Sequence, residues 1–228
     1  MNLIILAGGK GLRMLDNVKN KPKQLLTIAN LTIIERIIIL VKNNVNIEKI
    51  YVSISKENEL LKEYLLNNKY LIEKLEIVDS QDSKGESFIN IIKSNFAQIA
   101  KTDLLLFMGD TVFLEEEIKS FFTYIYENSC DIVMGVTNNI EGSSGMLIDK
   151  TTYLQSRELK TNYSFVTGCF YINRRIIEIA LDKKETSLSK IFNNMIINNS
   201  LNVRQFIFNF FYDINDYNIY QKCLNKIE

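Results

Sequence analysis

Histidine is absent from all 228 residues. That excludes a Ser-His or Cys-His catalytic pair, a His-ligated zinc site and an imidazole proton shuttle. Cysteine is nearly as scarce: Cys130, Cys169 and Cys223 lie far apart and form no Cys-x-x-Cys pair. Neither a disulfide framework nor a structural zinc site is suggested; the three read as small core residues, and free thiols fit a reducing, cytoplasmic compartment. Excess charge is lacking too, since 27 basic side chains balance 27 acidic ones. A general nucleic-acid binder would need a basic surplus. Long apolar runs are missing. Met1–Ala7 breaks at Gly8-Gly9-Lys10, too short for a signal-peptide core, and Ile33–Val41 is interrupted by Glu35 and Arg36. No membrane partner is expected. Chemistry must rest on carboxylates, lysines, arginines, hydroxyls, backbone amides or a metal held by oxygen.

Hydrophobic residues make up 46 % of the chain, enough for a full core. Apolar runs at residues 2–6, 50–55, 75–78, 104–108 and 131–137 read as strands. They alternate with helix-like segments at residues 32–43, 58–67, 87–99 and 113–126. Strand–helix–strand alternation of this kind predicts a three-layer α/β/α, Rossmann-like architecture around a mixed, mostly parallel sheet. The second half is less regular, with strands expected at 146–148, 165–172 and 203–211 and helices at 174–181, 188–197 and 216–227. No linker is long enough to separate one unit from another, so residues 1–228 read as a single domain. Phe206, Phe208, Phe210 and Phe211 serve a core or an interface equally well.

Only nine glycines are present, yet Gly8, Gly9 and Gly11 follow the first strand directly. Amides converging at a strand end make an anion cradle. A P-loop is excluded because Leu12 and Arg13 follow Gly11, and a dinucleotide fingerprint because Met14 stands where a small residue belongs. Lys10, Arg13, Lys19, Lys21 and Lys23 are opposed only by Asp16, a local positive field suited to a polyphosphate, and Pro22 stiffens the segment presenting Lys23. Asp110, after Gly109, and Asp213 each close a predicted strand. Ligands of open parallel sheets bind at those carboxyl ends. Two such carboxylates are a Mg²⁺ donor set, unless they merely cap helices; Asn215 and Asp216 are better placed to cap the last helix.

Leu6-Ala7-Gly8-Gly9-Lys10-Gly11-Leu12-Arg13-Met14, followed by Pro22-Lys23-Gln24-Leu25-Leu26, resembles the entry motif of the nucleotidyltransferases that make nucleotide-activated sugars and alcohols. Gly109-Asp110 and Asp213-Ile214-Asn215 resemble that family's two later motifs. Asn162-Tyr163 and Val166-Thr167-Gly168-Cys169-Phe170-Tyr171 resemble the acceptor strand of its sugar-phosphate members. Two departures stand out: Leu12 replaces the usual Thr or Ser, and Lys84-Gly85-Glu86-Ser87 replaces a small-residue stretch and is closer to the cytidylyltransferases.

The resemblance implies Mg²⁺-dependent transfer of a nucleoside monophosphate from an NTP to a phosphorylated acceptor, a sugar 1-phosphate first and a phospho-alcohol taking CTP second. The product would be a nucleotide-sugar of the kind used for cell-surface polysaccharide. Arg13, Lys23 and Asp110 would be catalytic. Leu6, Ala7, Gly8, Gly9, Gly11, Gly85, Ser87 and Gly109 would join them around the nucleotide. Lys160, Thr167, Gly168 and Glu185 would face the acceptor, with Arg157 a further phosphate contact, and Asp110 and Asp213 would hold the metal. A phosphate monoester is largely dianionic at neutral pH and needs no general base, which suits a chain without histidine. A glycosyltransferase using a nucleotide-sugar is the rival, but Asp110-Thr111-Val112 lacks its second acid. A nucleotide-sensing domain without turnover is a further alternative.

Overall fold

The computed structural model describes residues 1–9, 21–68, 74–140, 145–158, 161–181 and 185–227. Its strands are β1 (Asn2–Leu6), β2 (Thr27–Ile28), β3 (Leu31–Thr32), β4 (Lys49–Ile54), β5 (Leu75–Asp79), β6 (Leu104–Met108), β7 (Thr111–Phe113), β8 (Ile132–Thr137), β9 (Leu147–Asp149), β10 (Gln155–Ser156), β11 (Tyr163–Ile172), β12 (Val203–Ile207) and β13 (Phe211–Asp213). The helices are α1 (Ile33–Asn44), α2 (Glu59–Asn67), α3 (Lys84–Ser94), α4 (Phe96–Ile99), α5 (Glu115–Glu127), α6 (Ile177–Leu181), α7 (Leu188–Asn198) and α8 (Tyr217–Ile227).

Every residue of β1 and β6 is buried, and the period of two in a strand sorts them between two cores. Leu3, Ile5, Leu105 and Phe107 join the apolar faces of α1, α2 and α5 in one cluster. Ile4, Leu6, Leu104, Leu106 and Met108 join those of α3, α6 and α7 in the other. Helices therefore cover both faces, as expected. Thr32 and Ser83 start α1 and α3 with reciprocal capping boxes to Glu35 and Glu86.

The main sheet runs β5-β4-β1-β6-β11-β8-β12. All of these strands are parallel in sense except β11, which lies antiparallel to both neighbours. β9 and then β6 share one edge of β11, with β8 along the other. At the handover the register shifts between Val166 and Phe170, and Gly168 takes φ +75°. This bulge bends the strand and opens space beside the end of β6. All three cysteines are buried and free, and no described helix is long and apolar enough to cross a membrane.

Three expectations are corrected. Residues 203–211 form two strands rather than one, because the chain leaves the main sheet after Ile207 and β13 pairs with β7 in a small ribbon. Thr111–Phe113 is thus a strand, and the helix read from Phe113 begins at Glu115. The helix read from Ser87 begins at Lys84, where the Ser83 cap satisfies its first amides, and it breaks at Asn95. Of the two readings left open for the four late phenylalanines, core burial is the one seen: Phe208 and Phe211 are buried, with Phe206 and Phe210 packed against the same cluster.

Phe208 centres that aromatic group, its ring 4.7 Å from Phe113, 5.6 Å from Phe121 and 4.9 Å from Phe206. Phe208→Ala leaves a cavity that rigid neighbours cannot fill. Urea unfolding should read a loss of about 3–5 kcal/mol.

Candidate active site at the carboxyl ends of β1, β6 and β13

β1 and β6 pair in register through Leu6 and Met108, so the segments that follow them leave the sheet side by side. Gly109 donates its N–H to the Leu6 carbonyl at 3.0 Å, and a Cβ on it would stand 2.8 Å from that of Ala7. The close approach demanding glycine is therefore internal: two strand ends touch, and Asp110 emerges directly above them. Gly8 and Gly9 continue from Ala7, with Gly9 facing the Lys23 stem. Pro22 precedes a short 3-10 turn, Lys23–Leu25. There Gln24 donates to the Ala7 carbonyl at 3.1 Å and Lys23 reaches Asp110 in a buried ion pair.

β13 brings the second carboxylate. Asp213 pairs with Thr111 across the β7–β13 ribbon, and the Ile214 amide donates to the Asp110 carbonyl at 2.9 Å. Asp110 and Asp213 are each only 7 % exposed. Burial works against the charge on both, but the outcomes differ. At Asp110 the attraction and hydrogen bond of Lys23, with the charge of Lys84, outweigh burial and hold the carboxyl below its usual range. At Asp213 burial and then the negative charge of Asp110 push it up to about 7, against the opposing pull of Lys23, Lys84 and Asn215.

Asp213 Oδ1 is also buried without a hydrogen-bond partner among the described residues. Two adjoining carboxylates, one with an unsatisfied oxygen and an unfavourable charge, fit a hard divalent cation completing its shell with ligand oxygens and water. They are a pair, since no group of three or more His, Cys, Asp or Glu suited to a metal occurs among the described residues.

Asp213 closes one end of a cleft of about 400 Å³. Lys84 and Gly85 at the start of α3 line it, with Thr167 and Gly168 at the β11 bulge, Arg157, and residues 186–189 at the start of α7. Met108, Met146 and Phe170 make its apolar floor. Gly85 packs on the chain itself: a Cβ there would collide with the Thr186 carbonyl oxygen. The Ser87 hydroxyl is engaged within the helix start, donating to the Ser83 carbonyl and accepting from the Gln81 amide. Glu185 lies in a separate hollow with Gln81, Asp82 and Lys93. Gly11 and Arg13, with Lys10 and Lys19, fall in residues 10–20, and Lys160 in residues 159–160; both stretches lie outside the described residues.

Two contributors escaped the sequence reading. Lys84 acts on both aspartates, a role nothing near it in the chain signals. Asn215 directs its Oδ1 to Lys23 at 3.4 Å, while Asp216 alone caps α8 by accepting from Ile219 at 2.9 Å.

A family model described as a MobA-like NTP transferase domain matches residues 3–166. The bifunctional protein GlmU of Methanococcus vannielii is 32 % identical over 124 residues, 54 % of this chain and 28 % of that protein. The chain thus spans under a third of the length of that curated relative. Among solved structures, the inositol-1-phosphate CTP transferase from T. maritima superposes with TM-score 0.76 at 18 % identity, covering 99 % of this chain and 95 % of that one. A putative glucose-1-phosphate thymidylyltransferase from Bacillus anthracis superposes with TM-score 0.79 at 15 % identity, covering 100 % and 95 %. These two likenesses establish the nucleotidyltransferase-type fold.

The pH dependence of the metal-free protein reads the carboxylate pair. Asp213 titrates in the folded state above its ordinary 3.8. Between about pH 4 and 7 the folded protein keeps a proton that the unfolded chain has released, so this group makes stability fall as pH rises through that window. In EDTA, Asp213→Asn should melt above wild type at pH 8, and calorimetry should see the gap close as the pH is lowered towards 4.

Proposed function

This chain belongs to the MobA-like NTP transferase domain family, and from that premise we propose that it joins a nucleoside monophosphate from an NTP to a phosphorylated acceptor. The first choice of acceptor is a sugar 1-phosphate. The observation that carries the reading is the buried pair Asp110 and Asp213, the first ion-paired with Lys23 and the second raised towards its proton despite that lysine's pull, beside a cleft lined by Asp213, Lys84 and Arg157. An acceptor phosphate oxygen attacks the α-phosphorus. A new P–O bond forms, the bond to the β-phosphate bridging oxygen breaks, and its electron pair leaves with pyrophosphate.

The protein's task is alignment and charge. Asp110 and Asp213 would hold Mg²⁺, which when bound neutralises the charge on the transferring and leaving phosphates. Lys23 is held close enough to share that duty. The amides after β1, at Gly8 and Gly9, sit where a phosphate chain would be cradled, and Gly11 and Arg13 extend that role in sequence. Lys84 and Arg157 supply positive charge to the acceptor side, where Thr167 and Gly168 form the wall. Leu6, Ala7 and Gly109 set the floor. We take Gly85 and Ser87 to shape the start of α3, with Glu185 and Lys160 as outer contacts to the acceptor.

The second reading is a CTP-dependent transferase acting on a phospho-alcohol, favoured by Lys84-Gly85-Glu86-Ser87. On either reading residues 1–228 work as one domain in the cytoplasm and hand on an activated precursor, in the first case for cell-surface polysaccharide.

Pyrophosphate release with CTP, GTP, UTP, dTTP or ATP, Mg²⁺ and a panel of phosphorylated acceptors tests this. Asp110→Asn should lower turnover about 100–1,000-fold with the circular dichroism unchanged. Near-normal turnover in that variant would sink the assignment. Binding gives an independent check, because an NTP at ~100 times its Kd adds ~2.7 kcal/mol and raises Tm by several degrees.

A further inference from the structure

The ribbon that delivers Asp213 is short, and something must fix where the chain leaves the main sheet. β12 ends at Ile207, and the Phe208 amide makes one more bond to the sheet, at 2.7 Å to the Val136 carbonyl. Three residues later the chain is pairing with β7 instead. In the crossing, the Asn209 and Phe210 amides have no strand to bond. Both go to one side chain: Glu117 Oε1 accepts from Asn209 at 2.7 Å and from Phe210 at 3.2 Å, and Oε2 accepts from Phe210 at 3.1 Å.

Glu117 lies in the first turn of α5, beside Glu115 and Glu116. All three acids favour the positive end of the helix, but the other two are exposed. Glu117 is half-buried and holds the crossing backbone. α5 is anchored through Ile118, Phe121 and Phe122 in the same core that receives Phe208 and Phe211. The crossing is therefore clamped on a rigid element from two sides, by aromatic rings beneath and a carboxylate at its backbone.

We propose that Glu117 is a positioning residue for the active site: by capping the two amides of the crossing it sets the register of β13 and so places Asp213 against Asp110. It touches no substrate and acts only through the backbone. The inference rests on the functional reading above for its link to catalysis, while the backbone effect stands apart from it.

The test compares wild type, Glu117→Ala, Glu117→Gln and Asn209→Ala. Hydrogen exchange is read at the Ile214 amide, whose partner is the Asp110 carbonyl, with amides of β1 as reference. Glu117→Ala should speed exchange at Ile214 at least tenfold and leave β1 unchanged. Glu117→Gln, which keeps an acceptor oxygen, should recover most of the protection. Asn209→Ala should change nothing, because only its main chain is used. In a Mn²⁺ titration followed by electron paramagnetic resonance, Glu117→Ala should weaken binding about 10–100-fold, the range for groups that orient a metal's ligands.

A Glu117→Ala protein with lower Tm but unchanged Ile214 exchange would overturn the proposal, reducing Glu117 to a stabiliser of α5. Should Glu117→Ala fail to fold, Glu117→Met, which keeps the length of the side chain without an oxygen acceptor, decides, with unaltered Ile214 exchange and Mn²⁺ affinity in that variant counting against the proposal. Wild type that binds no Mn²⁺ would instead refute the metal reading, and the exchange result would still judge Glu117.

Discussion

Two carboxylates pressed together out of water repel each other, and the upper region of this molecule is arranged around that repulsion. Asp110, in the turn between β6 and β7, and Asp213, at the end of β13, are joined by the Ile214–Asp110 backbone bond. One lysine is buried with them. A single positive charge settles one carboxylate and leaves the other with an oxygen unpaired and its affinity for a proton raised. Stability alone would replace such a pair by apolar side chains. On the proposed function, its presence beside a cleft is where stability gives way to activity.

The rest of the fold keeps that pair from relaxing. β1 and β6 are buried on both faces and locked between two helical layers, so the floor under Asp110 cannot yield. Gly109 packs so closely on Ala7 there that a Cβ on it would stand 2.8 Å from that of Ala7. On the far side the reversed strand β11 carries a bulge at Thr167 and Gly168. The bulge turns what would be a flat sheet into the wall of a cleft, and Gly85, packed on Thr186, joins the start of α3 to the opposite wall. Lys84, one residue earlier, is thereby held where its charge reaches both aspartates.

Much of this was legible in the sequence because it rests on local pattern. The apolar runs at residues 2–6 and 104–108 are strands as read, and the glycines and aspartates that follow them fall at the carboxyl ends. Where the reading failed, the deciding interaction was distant. Residues 203–211 are rich in phenylalanine, and no glycine or proline marks the point where the chain changes partner; a glutamate about ninety residues earlier holds it. Lys84 joins the aspartates through tertiary placement, which no spacing rule captures, whereas Asn215 stands in the motif with Asp213 and reads there as a helix cap. The start of α3 was a different failure, since the Ser83–Glu86 capping box was present in the sequence.

The ribbon carrying Asp213 contains three residue pairs and closes a loop of about a hundred residues back to Thr111. A loop that long costs entropy before any contact returns it, and three pairs return little. The sheet and helices that β13 docks on are held by many more contacts, so the carboxylate pair is expected among the later features to assemble and the earlier to come apart. Under mild denaturation the chain would keep its layered core and lose the geometry at its mouth, as low-stability elements do. Competence and foldedness are thus separate thresholds in this protein, set by different regions of one chain.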